Sequence, residues 1–109
     1  MDESLTLILE VLNGVYDGAI YNFNSFPVLI GRAPESDVFI PLETAASRNH
    51  SQFMNDGGQL YITDSNSTNG TFVNDFKVFD RRDLLSGDVI KIGCMNLLCT
   101  INSGAKASE

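Results

Sequence analysis

The sequence contains no tryptophan, one histidine, two cysteines and three prolines in 109 residues. Each scarcity excludes a class of protein. Two cysteines, Cys94 and Cys99, are too few for a disulfide-built scaffold, and their placement reads as two small apolar residues in a strand pair. With the single histidine they fall short of the four ligands of a structural zinc site, so neither a metal nor a cofactor is expected. Positive charge is also scarce: seven Lys and Arg face fourteen Asp and Glu, for a net charge of −7. A nucleic-acid binder carries a basic patch or stripe, and an anionic membrane surface attracts basic segments, so both partners are excluded as expectations. A small anion site remains open, because contact geometry can outweigh the long-range field across a Debye length of about 8 Å. No apolar run approaches the ~20 residues of a membrane helix. The longest, residues 5–12, is broken by Thr6 and Glu10, and the acidic start Met1-Asp2-Glu3 lacks the basic region of a signal peptide. The expectation is a cytoplasmic chain.

What is present is a series of short strands divided by turns. Leu5, Leu7, Leu9 and Val11 alternate with Thr6, Ile8, Glu10 and Leu12, a period of two blurred only by Ile8. Asn13-Gly14 and Asp17-Gly18 are turn signals, after which residues 19–24 read as a returning strand. Pro27 opens Val28-Leu29-Ile30 at a position where a missing N–H is tolerated. Val38-Phe39-Ile40 is a short apolar burst. Residues 51–55 and 59–64 flank Asp56-Gly57-Gly58 as a hairpin, and Phe72-Val73 and 76–78 flank Asn74-Asp75. Residues 89–92 and 97–101 make a last pair. No segment carries a sustained i, i+3, i+4 apolar stripe, so little helix is expected. An all-β sandwich or barrel follows. The domain spans 1–102, and the small polar residues 103–109 read as a tail or the start of a linker. At this length a chain buries roughly 65% of the surface it exposes unfolded, enough for one core.

The polar residues cluster between the strands. Gly31-Arg32 follows the third apolar stretch, Ser47-Arg48-Asn49-His50 precedes a strand, and Ser65-Asn66-Ser67-Thr68-Asn69-Gly70-Thr71 lies between two. Loops at one end of a sandwich converge, so these clusters can share a site. Together they offer two guanidinium forks, several hydroxyls, an amide and a glycine turn. Guanidinium matches phosphate oxygens with charge-assisted hydrogen bonds, so the set is suited to recognising a phosphate. It is poor for catalysis: a hydrolase would have to use His50 as its base, with no orienting acid in view. Arg81-Arg82 reads as a solvated turn.

The order Val28-Leu29-Ile30-Gly31-Arg32, then Ser47-x-x-His50, then Asn69-Gly70-Thr71, resembles the forkhead-associated (FHA) domain family. Asp37-Val38-Phe39-Ile40, Val73-Asn74 and Leu84-Leu85-Ser86-Gly87-Asp88 fit the same pattern, and the likeness runs from about Leu5 to Ile101. The resemblance implies a β-sandwich of about eleven strands in two sheets that binds phosphothreonine peptides through loops at one end, without catalysis. It implies Arg32, Ser47, Arg48 and Thr68 at the phosphate, with Thr68 shaping the pocket. Asn69 would clamp the peptide backbone, and Gly31, His50 and Gly70 would hold loop shape. The implied partner is a phosphothreonine-containing protein or peptide, such as a Ser/Thr kinase or its substrate. The alternative is a phosphate-independent interaction or dimerisation module. Two positions depart from the pattern. Asp75 stands where the family often has glycine, which predicts a looser hairpin. Ala45 stands where some members carry an arginine that selects an acidic peptide residue.

The acidic body generates a prediction. Phosphopeptides with basic flanks should associate faster than acidic ones at low salt, and the advantage should shrink as salt rises. Stopped-flow association rates test this; equal rates at low salt would contradict it.

Overall fold

The alternation of the first strand becomes the inner wall of a two-sheet sandwich. In the computed structural model, which describes residues 5–103, Leu5, Leu7, Leu9 and Val11 of β1 (Leu5–Val11) are buried while the residues between them are half-covered. Ten further strands follow: β2 (Ile20–Phe23), β3 (Val28–Gly31), β4 (Val38–Phe39), β5 (Ser51–Asp56), β6 (Gln59–Asp64), β7 (Thr71–Val73), β8 (Phe76–Lys77), β9 (Arg82–Asp83), β10 (Val89–Ile92) and β11 (Met95–Ser103). One sheet runs β2-β1-β11-β10-β7-β8 and the other β4-β3-β5-β6-β9. All pairings are antiparallel except β3 with β4. Among the described residues no helix is long and apolar enough to cross a membrane.

The core lies between the sheets. Leu7, Leu9, Ile90, Ile92 and Leu97 from the first meet Ile30, Phe53, Leu60 and Ile62 from the second, all at most 1% exposed. Burying each of these side chains is worth about 1.5–3 kcal/mol. Cys99 belongs to this layer. Burial, aided by the charge of Asp88, pushes its thiol up to about 12, so it stays protonated and serves as a core residue. Cys94 departs from expectation: it is exposed in the two-residue turn between β10 and β11, because Gly93, at φ +64°, reverses the chain there.

The hairpins follow turn chemistry. Gly57 and Gly58 carry positive φ between β5 and β6. Asn74 and Asp75 do the same, at φ +50° and +73°, between β7 and β8. Asp75 thus takes the left-handed conformation without glycine. The turn is tied down by Asn74, whose amide donates to Asp88 Oδ1 at 2.9 Å and accepts from the Val89 N–H at 2.9 Å. A cis peptide joins Phe26 to Pro27 ahead of β3. Ser103, read as the first residue of a tail, pairs with Leu5 at the end of β11, and the rest of that tail lies outside the described residues.

The connections β3–β4, β4–β5 and β6–β7 all emerge at one end, where β3 and β6 finish and β5 and β7 begin. Gly31 permits their convergence. A Cβ there would lie 2.0 Å from the Arg48 carbonyl oxygen, so the β3–β4 and β4–β5 connections touch through backbone. Gly31→Ala is therefore expected to destabilise the domain by about 1–3 kcal/mol, the cost of overpacking. Gly14→Ala, by contrast, meets open space and costs only the strain of its positive φ. Denaturant unfolding of both variants checks this, and equal losses would refute the steric account.

Candidate functional site

The site is assembled around His50, which immediately precedes β5. Its backbone is held on both sides: its N–H donates to the Ile30 carbonyl at 3.0 Å, and its carbonyl accepts the Ser65 N–H at 2.9 Å. Its ring is fully buried. Nδ1 accepts the backbone N–H of Ser47 at 2.9 Å, which places the ring proton on Nε2, and Nε2 donates to the Gly70 carbonyl at 2.9 Å. One imidazole thereby joins the β4–β5 loop to the β6–β7 loop.

The two loops then meet at Ser47. Its Oγ accepts the Thr68 N–H at 2.9 Å, which leaves the hydroxyl proton free to donate outward. Arg32 is fixed to the same loop, its Nε donating to the Ala46 carbonyl at 2.7 Å and its backbone N–H to the Ser47 carbonyl at 3.1 Å. That leaves its terminal guanidinium nitrogens available. The Arg48 carbonyl accepts the Ala33 N–H at 3.0 Å, while its residue stands exposed. Asn69, also exposed, donates from Nδ2 to the Ala45 carbonyl at 2.8 Å, so loop 65–70 closes over loop 41–50 a second time. Gly70 turns the chain into β7 at φ +89°, a conformation that favours glycine. The structure thus brings Arg32, Ser47, Arg48, Thr68 and Asn69 to one end, with Gly31, His50 and Gly70 shaping their backbone.

Sequence reasoning missed the carboxylate beneath this surface. Asp64, at the end of β6, accepts the Ser67 N–H at 2.9 Å on Oδ2. Its Oδ1 accepts the Ser67 and Thr71 hydroxyls, each at 2.6 Å. Because Thr71 gives its proton to Asp64, Ser51 is the donor in the buried 2.7 Å bond between the two hydroxyls. Ser67 Oγ in turn accepts the Gly70 N–H at 2.9 Å. Burial raises the Asp64 pKa, but the bonds from Ser67 and Thr71, helped by His50, outweigh it and hold the carboxyl below its ordinary value. The signal available in sequence was an Asp three residues before a Ser, a spacing at which a short carboxylate can take a backbone N–H in the manner of an N-cap.

Glu43 was also missed. It is turned inward, and its Oε2 accepts the Cys94 N–H at 2.9 Å, pinning the β4–β5 loop to the opposite sheet. Arg81-Arg82 departs from a solvated turn. Arg82 lies in β9, and Arg81 stacks 3.6 Å over Tyr61 while pairing with Asp83 at 2.9 Å and Asp56 at 3.5 Å. Asp56 ends β5, so this cluster sits at the other end of the sheet from His50. A groove of about 380 Å³ lined by Leu12, Asn74, Asp75, Val89, Lys91 and Asn96 lies against the six-stranded sheet and includes none of Arg32, Ser47, Arg48, Thr68 and Asn69.

This architecture and loop arrangement define a class of binding sandwich, and comparison with known proteins gives it a family. The FHA domain model matches residues 28–93. The chain belongs to the forkhead-associated domain family. It is 34% identical over 91 residues to the glycogen accumulation regulator GarA of Mycolicibacterium smegmatis, covering 84% of this chain and 56% of GarA, so it spans about half of that relative's length. An FHA domain solved in a study of phosphothreonine-dependent FHA domain interactions superposes with a TM-score of 0.77 at 32% identity, covering 87% of this chain and 95% of that one. The FhaA FHA domain, solved in complex with the intracellular domain of Rv3910, superposes with a TM-score of 0.72 at 33% identity, covering 88% and 99%.

The depressed carboxyl of Asp64 carries a pH prediction. A group whose folded pKa lies below its unfolded value of about 3.9 stabilises the fold above that value and ceases to do so as pH falls through the folded one. The stability lost as pH falls below about 4 should therefore be smaller in Asp64→Asn than in the parent. At pH 7 the variant should be less stable by about 1–3 kcal/mol, from weakened charge-assisted bonds. Urea midpoints across that range test both; parallel curves would contradict the role given to Asp64.

Proposed function

We propose that the domain binds phosphothreonine in an extended peptide, as a non-catalytic module in Ser/Thr kinase signalling. The observation that carries this reading is electrostatic. The chain has twice as many acidic as basic residues, yet among the described residues the only ion pairs are those of Arg81. Arg32 and Arg48, the two guanidiniums at the converging loops, have no carboxylate partner there. A phosphate brings about −1.5 to −2 charges and three acceptor oxygens. Arg32 and Arg48 supply charge, and Ser47 supplies a hydroxyl whose oxygen is already oriented by Thr68. Thr68 shapes the pocket wall, and Asn69 exchanges its bond to Ala45 for the peptide backbone.

The rest of the geometry is consistent with binding rather than turnover. His50, the single histidine, gives both ring nitrogens to backbone groups, so no imidazole stands ready to take the Ser47 proton. The GarA likeness and the solved FHA domain studied for phosphothreonine-dependent interactions support the same reading. Partners would be Ser/Thr kinases or their substrates, which also agrees with a cytoplasmic setting. The described residues 5–103, up to the end of β11, make up this module.

Hydrogen bonds to charged groups are worth roughly 1.5–3 kcal/mol each. Three of them, less ordering and association costs, give an affinity near micromolar, about −8 kcal/mol. Arg32→Ala should weaken phosphopeptide binding by about 2–5 kcal/mol. The phosphoserine version of the peptide should bind about 1 kcal/mol more weakly than phosphothreonine, for one missing methyl. Calorimetric titration checks both. Undiminished binding by Arg32→Ala, or equal binding of the unphosphorylated peptide, would favour the phosphate-independent module instead.

A further inference from the structure

Ala45 removes the arginine with which some family members select an acidic peptide residue, but the fold places another cation beside the peptide path. Lys77 lies on β8 directly opposite Phe72 of β7, a register set by the Asn74-Asp75 turn. Its stem reaches back over the loop: a Cβ built on Gly70 would sit 3.3 Å from Lys77 Cε and 3.3 Å from the Phe72 ring. The Lys77 ammonium lies 5.8 Å from the centre of the Phe79 ring, which is 84% exposed. Asp75 and Asp80 are its acidic neighbours in sequence, yet the ion pairs of the described residues are all made by Arg81. Lys77 therefore stands beside Gly70, one residue from Asn69, with its charge unpaired and an open aromatic face next to it.

We infer that Lys77 is a specificity-determining residue that selects a carboxylate in the bound peptide, close to the phosphothreonine. The inference rests on the phosphothreonine reading above and extends it to the chemistry of the flanking sequence. A peptide that sets its phosphate against Ser47 and its backbone against Asn69 passes Gly70 next. At about 3.3 Å per extended residue, a side chain two to four positions from the phosphothreonine comes level with Lys77. A Glu or Asp there meets the ammonium, and its aliphatic stem can lie on Phe79. A Lys there meets like charge. The effect acts in contact and slows dissociation, so it is separate from the long-range field that favours basic flanks during approach.

The test is equilibrium binding at 0.15 M salt of phosphothreonine peptides on an alanine background. A single Glu, Ala or Lys is placed two, three or four residues from the phosphothreonine, on each side in turn. The parent domain should bind the best-placed Glu peptide about fivefold more tightly than its Lys counterpart, the scale of an exposed ion pair exchanged for a repulsion. Lys77→Arg should keep the preference, Lys77→Met should abolish it, and Lys77→Glu should reverse it, all with unchanged thermal midpoints. Equal binding of Glu and Lys peptides on both sides, or a preference that survives Lys77→Met, would overturn the proposal while leaving the phosphate reading intact. If the parent binds phosphorylated and unphosphorylated peptides alike, the phosphate reading fails and this one fails with it.

Discussion

A single buried imidazole holds together the end of the sandwich that matters for recognition. His50 accepts from the Ser47 N–H and donates to the Gly70 carbonyl, so the loops that carry Ser47 and Asn69 are joined through one ring. Both loop groups would otherwise be unpaired near the protein interior, at a cost of about 1–3 kcal/mol each. Ser47, oriented by that bond, receives the Thr68 N–H on its hydroxyl oxygen. Asp64 organises the same β6–β7 loop from the other side through Ser67 and Thr71. Gly31 lets the Arg48 backbone come close enough for Arg32 to bond the Ser47 and Ala46 carbonyls. Arg32, Ser47 and Asn69 are thus fixed largely by hydrogen bonds to backbone groups drawn from three chain segments.

That construction reconciles an acidic chain with an anionic ligand. Over distances longer than about 8 Å the net charge of −7 governs, and it disfavours polyanions. At contact, Arg32, Arg48 and Lys77 count for more, because among the described residues none of them is in an ion pair and two carboxylates of the converging loops are committed to other groups. Asp64 is occupied by Ser67 and Thr71, and Glu43 by Cys94. Sites where cations are held without carboxylate partners are candidates for ligand binding on physical grounds, since a counter-charge must come from outside. Arg81 shows the contrast: it is stacked on Tyr61 and bridged to Asp56 and Asp83, and it contributes to the sheet edge instead.

Much of this was legible in the residues. The alternation of β1, the Gly57-Gly58 and Asn74-Asp75 turns and the order of the three polar clusters each rest on local rules, and the structure realises them. What could not be read depends on contacts remote in sequence. Glu43 looks like a surface residue until Cys94, on the other sheet, supplies its donor. Cys94 and Cys99 look alike until Gly93 turns the chain between Ile92 and Met95, leaving one thiol in solvent and the other in the core. The two-residue strand β9 is too short for periodicity to mark. Lys77 drew no notice because its relation to Gly70 arises only from the β7–β8 register.

The bond on which the account turns can be observed directly through the Ser47 amide proton, which sits in a loop and has a ring nitrogen as its acceptor. Amide hydrogen exchange followed by NMR measures whether that bond persists in solution. The account expects the Ser47 N–H to be protected to the level of neighbouring strand amides such as Phe53, and to lose that protection in His50→Ala. Exchange of Ser47 in the parent as fast as an open turn amide would show that the two loops are not joined through His50, and would contradict the central claim.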